Sequence, residues 1–388
     1  MSLNDAKHWL KKINDLVIPE KIKIMNVCGG HERTISSAGI RSLLPKNVEL
    51  IPGPGCPVCV CPEEDIFLAI QLALNEDIIL VAFGDMLRVP VNVSKKDIRT
   101  LEEARASGAD IRPIASPLEA TSIARSNSDK KVVFFAAGFE TTTSPVAAMI
   151  VEGLPDNLSI LLSGRLTWPA VSMLLESGEP GFDALVAPGH VSAVMGPEEW
   201  QFVVGKHHLP VAIAGFESDS MLAALYSVLR QKLEDRIFLD NSYQDVVKTG
   251  GNPTAQRFLN TTMNVTDSNW RGIGIIPRSG FSLTSDYAAY DARLNYKNYS
   301  DDTRKRIGEM PAGCDCANVV LGKIYPNQCR LYGKPCNPEN PIGPCMVSDE
   351  GACHIWWNSG MQQSSIKKPS VDADKNFSKT EAELMKHA

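Results

Sequence analysis

Short apolar runs alternate with amphipathic stretches along most of this chain, and many of the runs end in glycine. IKIMNV (22–27) and VELI (48–51) have the length and β-branched content of buried strands, and DIILVAFG (77–84) is a third. Between them lie a helix signal around SSAGIRSLL and a longer one, CPEEDIFLAIQLALN. In the latter, Pro62 suits the first helical position, Glu63, Glu64 and Asp65 suit the first turn, and Ile66, Ile70, Ala73 and Leu74 keep helical spacing. This β-α-β-α-β alternation predicts a parallel sheet covered by helices.

The pattern restarts near residue 130. KVVFFAAG, LSILLSG, FDALVAPG and LPVAIAG read as strands ending in glycine. EATSIARS, PAVSMLLESG and SDSMLAALYSVLRQKLED read as the helices that accompany them. The expected fold class is therefore α/β, with two related parallel-sheet units, residues 1–125 and 126–235, divided near the polar stretch ARSNSDKK. Residues 236–363 form a third, irregular region. NPTAQRFLNTTMNV suits a helix and RGIGIIPRSGFSL a strand with a turn, but 311–353 is rich in Pro, Gly and Cys and needs something besides an apolar core to order it. The polar tail, 364–388, reads as mobile.

One detail repeats. Gly138-Phe139-Glu140-Thr141 and Gly215-Phe216-Glu217-Ser218 each follow a strand and open a helix, and Gly30-His31-Glu32 sits in the same relative place in the first unit. Two explanations stand: a recurring strand-turn-helix with a polar cap, or a shared crevice beyond the carboxyl ends of the strands.

Composition narrows the partners. An apolar content of 44% and a charged content of 22% are those of a soluble globular chain, and a net charge of −6 gives no reason to expect nucleic acid or an anionic membrane. No apolar run is long enough to span a bilayer, and MSLNDAKHWLKKINDL has no signal-peptide core, so a cytoplasmic setting is expected. In that setting ten cysteines point to metal or redox chemistry ahead of structural disulfides.

The cysteines fall into two groups. Cys314, Cys316, Cys329, Cys336, Cys345 and Cys353 carry the spacing C-x-C-x12-C-x6-C-x8-C-x7-C. Four thiolates satisfy a [4Fe–4S] cluster or a structural zinc. The absence of paired C-x2-C knuckles favours iron–sulfur, and two thiols remain to form a disulfide beside it. Cys28, Cys56, Cys59 and Cys61 make the other group. Cys28 follows one strand, and Cys56 and Cys59 follow another in PGPGCPVCVC. In a parallel sheet both loops face the same edge, so Cys28, His31, Cys56 and Cys59 suit a thiolate-rich iron site, while Cys56-Pro57-Val58-Cys59 also has the spacing of a thiol redox pair. Cys61 reads as a buried bystander and His190 as structural. No phosphate-binding loop, dinucleotide fingerprint, H-E-x-x-H or nucleophile elbow is present, so nucleotide hydrolysis, dinucleotide redox chemistry, zinc proteolysis and serine hydrolysis lack their signatures.

Cys28-Gly29-Gly30-His31-Glu32, Pro52 to Cys59, Gly138 to Thr142, Gly189-His190-Val191-Ser192, Pro277 to Phe281 and Cys345 to Cys353 occur in this order, and together they resemble the HypD family of hydrogenase maturation factors. The resemblance runs from about residue 20 to 357. It implies two related α/β units and a third domain with a [4Fe–4S] cluster. The implied role is that of a redox-active scaffold on which the Fe(CN)2CO group of [NiFe]-hydrogenase is built. The implied partners are a small chaperone of the HypC type, a HypE-type cyanide donor fed by HypF and, indirectly, the hydrogenase large subunit.

By the same resemblance Cys28 holds a second, transient iron carrying CN and CO, with His31 beside it, and Cys56 and Cys59 are the redox pair. Glu140, Thr141 and Thr142 occupy the central motif and Glu350 the C-terminal acidic position. Cys314, Cys329, Cys336 and Cys353 are the implied cluster ligands, and Cys316 and Cys345 the neighbouring pair. Arg33 stands where the family usually has a second histidine, Cys61 is an extra thiol, and Asn318 and Gly322 depart from the pattern after the C-x-C. A stand-alone iron–sulfur thiol–disulfide oxidoreductase and a zinc-stabilised binding module are the rival readings.

Overall fold

A computed structural model of the chain describes residues 3–94, 96–178, 181–299 and 310–361; the tail expected at 364–388 lies outside them. Its strands are β1 (Ile22–Asn26), β2 (Val48–Pro52), β3 (Ile78–Phe83), β4 (Ile111–Ile114), β5 (Lys131–Gly138), β6 (Leu158–Gly164), β7 (Ala184–Pro188), β8 (Val211–Ala214), β9 (Leu239–Asn241), β10 (Met263–Trp270) and β11 (Gly274–Leu283). Two sheets are parallel throughout, one in the order β2-β1-β7-β8-β9 and the other β4-β3-β5-β6. β10 and β11 form an antiparallel hairpin. The α/β class with two parallel-sheet units is as the alternating pattern predicts.

The sheets do not follow the expected division at 125/126. β1 and β2 pair with β7, β8 and β9, while β3 and β4 pair with β5 and β6. Each predicted unit therefore gives strands to both sheets, and β9, counted with the third region, is the edge of the first. The physical reason is that strands in such sheets are buried on both faces. β6, β7 and β8 are buried along their whole length, so their sequences carry no alternation that names a neighbour.

Helices cover the sheets where their apolar stripes predict. Met221, Leu225, Val228 and Leu229 of the helix Ser218–Glu234 pack with Ile24, Val186 and Ala212. Ser116 and Glu119 form a capping box around Pro117 at the start of the helix Pro117–Ser126. Pro62 takes the cap of the helix Glu63–Asn75 and not its first turn, because a separate short helix, Pro57–Val60, comes just before. Among the described residues no helix is long and apolar enough to cross a membrane.

The hairpin β10–β11 leans on β6, with the Leu166 amide donating to the Ser279 carbonyl at 2.9 Å. The Cys-rich segment beyond it has only short helices, Cys316–Val320, Pro344–Val347 and Ala352–Asn358. It does not stand apart. Val319, Val320, Tyr332, Met346, Val347 and Trp356 belong to the same apolar core as Val58, Val60, Ile66 and Leu80. The helix Pro57–Val60 packs directly on the helices Cys316–Val320 and Pro344–Val347.

Candidate functional site

The carboxyl ends of β1 and β2 carry the two loops that the sequence singles out. Cys28 caps the helix Gly29–Ser37, its carbonyl accepting from the Glu32 amide at 3.0 Å. The Gly29 amide donates to Gly55 at 3.0 Å, and a side chain at 55 would place its first carbon 2.4 Å from the Cys28 backbone. Only glycine permits that approach, so the loops of Cys28 and of PGPGC lie against each other. Cys56 and Cys59 are joined as a disulfide, and the Cys56 sulfur accepts from the Cys59 amide at 3.1 Å at the cap of the short helix Pro57–Val60.

Burial, and after it the Glu350 carboxylate, push the partly buried Cys28 thiol up to about 12, although the His31 and Gly30 amides act the other way. His31 is fully enclosed, with Nε2 donating to the Ala214 carbonyl at 3.0 Å and the ring 5.2 Å from that of Phe216. Burial lowers it to about 4, so it is neutral at pH 7, and its Nδ1 has no partner among the described residues. Phe216 also meets His190, at 4.2 Å. A side chain on Gly30 would strike the Phe216 ring at 2.4 Å, which explains the glycine.

Glu32, quoted in the motif but given no role there, ties the site together. Its carboxylate accepts from Asn26 at 3.0 Å, Arg41 at 2.8 Å and the Trp356 indole at 2.6 Å. Burial pushes this acid up, but the Arg41 charge and the three donors outweigh it and hold the carboxyl below its ordinary range. Trp356 lies on the helix Ala352–Asn358, which also carries Cys353. Nothing local in the sequence links Glu32 to a tryptophan more than three hundred residues away.

A cavity of about 700 Å³ opens beside these loops. Arg33, Val58, Asp85, Thr142 and Glu350 line it, bringing four separately predicted motifs to one space. The first side-chain carbon of Gly29, if it had one, would lie 2.5 Å from Glu350, so Glu350 rests on the Cys28 loop itself. Burial, with Asp85 next, raises the Glu350 carboxyl. Ser348 donates to Asp85 at 3.0 Å and fixes the acidic turn.

Glu140 and Thr141 are not brought into this space. Thr141 is exposed. Glu140 is fully buried and accepts from the Thr167 amide at 2.6 Å and hydroxyl at 2.7 Å. Burial raises its carboxyl to about 7, and the neighbouring Glu199 is raised as well, by burial and then by Glu140. Of the look-alike loops, those of His31 and Phe216 share the first sheet, whereas that of Glu140 belongs to the second.

The six C-terminal thiols gather in the shared core. The sulfurs of Cys316, Cys345 and Cys353 lie within 4.8 Å of one another, and this trio is able to hold a metal. The Cys314 sulfur is 3.2 Å from that of Cys316. Cys316 and then Cys353 donate to Cys345 and hold it well below the usual thiol range. Cys329 and Cys336, both buried, are raised by burial and lie outside the trio. The donors in the trio are all sulfur, with no histidine or carboxylate among them, which fits a thiolate-bound soft metal or iron–sulfur group and not a hard cation. Cys61 is buried, 3.4 Å from the Ser163 hydroxyl, and pushed up to about 12 by burial and then Asp65.

The HypD family model, described as the hydrogenase formation hypA family, matches residues 4–360. The chain is 41% identical to hydrogenase maturation factor HypD2 of Bradyrhizobium diazoefficiens over 348 residues, 87% of this chain and 89% of the other. It is 38% identical to hydrogenase maturation factor HypD of Escherichia coli over 351 residues, covering 88% and 90%. It is also 38% identical to a putative hydrogenase expression/formation protein of Methanocaldococcus jannaschii over 365 residues, covering 92% and 98%.

Proposed function

The chain belongs to the HypD family, and on that premise we propose that it is a cytoplasmic, redox-active scaffold on which the Fe(CN)2CO group of [NiFe]-hydrogenase is assembled. The observation that carries the reading is the Gly29–Gly55 contact, which sets the Cys28 loop against the disulfide turn, whose Pro57 and Val58 line the cavity together with Glu350.

The cargo iron is the substrate. Cys28 gives up its thiol proton when iron arrives, and Glu350 takes it. His31, neutral and with an Nδ1 that has no partner among the described residues, offers a nitrogen three residues after the sulfur. Reduction of the Cys56–Cys59 disulfide consumes two electrons and two protons and provides further soft donors next to Cys28. Thr142 and Glu350 face the space in which the diatomic ligands are added. The surrounding apolar wall, Val58 included, keeps water from an iron that must stay electron-rich.

On the family assignment Cys314, Cys329, Cys336 and Cys353 would hold a resident [4Fe–4S] cluster, with Cys316 and Cys345 as the adjoining pair; the closest gathering of sulfurs, Cys316, Cys345 and Cys353, shares only Cys353 with that ligand set. Such a cluster supplies one-electron chemistry beside thiols. The helix of Cys59 packs on the helices of Cys316 and Cys345, which supports a relay between the two thiol groups. The partners in this reading are a HypC-type chaperone, a HypE-type cyanide donor and, indirectly, the hydrogenase large subunit.

The test is infrared spectroscopy of the chain purified anaerobically with its HypC-type partner. Cyanide and carbonyl stretching bands are expected. An iron-loaded complex without them would overturn the scaffold role. A stand-alone thiol–disulfide oxidoreductase is the second reading, favoured by the buried C-x-x-C disulfide; it requires turnover on a protein disulfide with no partner present.

A further inference from the structure

Arg271 lies where the two groups of cysteines meet. Its amide donates to the Val60 carbonyl at 3.0 Å, between Cys59 and Cys61. The next residue, Gly272, has a φ of +76°, and a side chain there would meet Ala317, beside Cys316, at 2.8 Å. The hairpin thus clasps the C-x-x-C segment with one residue and the Cys316 helix with the next.

Arg271 is 3% exposed. One guanidinium nitrogen, Nη2, donates to the Pro90 carbonyl at 2.7 Å. The other two, Nε and Nη1, find no hydrogen-bond partner among the described residues. A buried cation with idle donors is costly unless anions surround it. Burial lowers its pKa below the usual arginine value, outweighing Glu63 and the sulfurs of Cys61, Cys316 and Cys314, which favour its charge. Glu63 spends Oε1 on the Asn92 amide at 2.7 Å and makes no hydrogen bond to Arg271. The sulfur side is where negative charge grows when thiolates bind a metal and when the bound group gains an electron.

We infer that Arg271 is a positioning residue, the fixed cation that offsets the negative charge of the C-terminal sulfur site and sets the potential at which that site accepts an electron. The inference rests on the presence of a resident iron–sulfur group at those thiols. The step it governs is a one-electron reduction by an external low-potential donor; no bond is made or broken, and the site becomes one charge more negative beside a guanidinium that does not lose its own.

The experiment compares wild type with Arg271→Gln and Arg271→Lys, all purified anaerobically, with iron and sulfide measured per chain and the midpoint potential read by absorbance during titration with dithionite. Arg271→Gln keeps a donor for Pro90 and loses the charge. It is expected to lower the reduction equilibrium constant about tenfold, a shift of about 59 mV to more negative values for one electron. Arg271→Lys keeps the charge and should stay near wild type. Loss of iron in the glutamine variant with retention in the lysine variant also supports the inference, because charge alone distinguishes them. A glutamine variant that holds its iron at the wild-type potential overturns it. So does a lysine variant that behaves like the glutamine one, since the role is then the hydrogen bond to Pro90. Wild type without iron and sulfide removes the resident group itself, and the inference with it.

Discussion

The amide of Gly29 donates to the carbonyl of Gly55 across 3.0 Å, so the loop after β1 and the loop after β2 behave as one structure. Gly55→Ala tests that union. The added carbon would lie 2.4 Å from the Cys28 backbone, and the loops must separate to admit it. A loss of about 1–3 kcal/mol in stability is expected, together with loss of iron held at Cys28. Thermal unfolding and iron analysis read the two effects; an unchanged melting temperature speaks against the close approach.

Cys28→Ala should remove the cyanide and carbonyl bands from the purified complex and leave the absorbance of the C-terminal iron–sulfur group in place. The two proposed sites use different sulfurs, so their signals should separate. Bands that survive the substitution would move the cargo iron elsewhere.

The disulfide makes a simpler prediction. Oxidised protein, unfolded and freed of metal, should take label on its eight free cysteines, and prior reduction should add Cys56 and Cys59. Peptide mapping after differential alkylation locates the protected pair. Labelling of Cys56 and Cys59 without prior reduction contradicts the assignment.

Acid stability should depend on Glu32. Its carboxyl is held below 4.5 in the fold, where the Arg41 charge and hydrogen bonds from Arg41, Asn26 and Trp356 outweigh burial. The stabilisation is therefore complete above the unfolded value and disappears as pH falls through the lowered one. Glu32→Gln leaves Arg41 without its partner, costs about 3 kcal/mol at neutral pH, and should flatten the acid limb of urea-unfolding stability. A variant with the same acid limb as wild type removes Glu32 from that role.

Glu140 predicts the opposite slope. Its carboxyl is raised to about 7 by burial. The folded state then holds the proton that the unfolded chain has released, so stability falls as pH rises from about 4.5 through 7. Replacing Glu140 by Gln should remove that decline in chemical-denaturation curves taken across this range.

The strands and most helices were legible because their apolar runs and glycine ends are local signals. Convergence of Cys28 with the PGPGC turn was legible too, since adjacent parallel strands put their following loops on one edge. The partition of strands between sheets was not, because β6, β7 and β8 are buried throughout and look alike. Glu140 stood out as part of a repeated motif, yet its partner is Thr167 at the start of another helix, and the cavity takes Thr142 in its place. Arg271 and Trp356 gave no signal. Their importance comes from burial beside groups distant in sequence, which no spacing rule encodes.

The order of strands has a consequence for how the molecule comes into being. β3 to β6 are one continuous stretch, residues 78–164, set inside a host sheet whose strands come from before and after it. During synthesis the inner sheet has all its strands while β1 and β2 still wait for β7 and β8. The wall behind Cys28 arrives later still: Ala214 and Phe216 to hold His31, then Trp356 to hold Glu32. A growing chain thus carries Cys28 long before the groups that enclose its loop, and the proposed iron site closes only once Trp356 has been made.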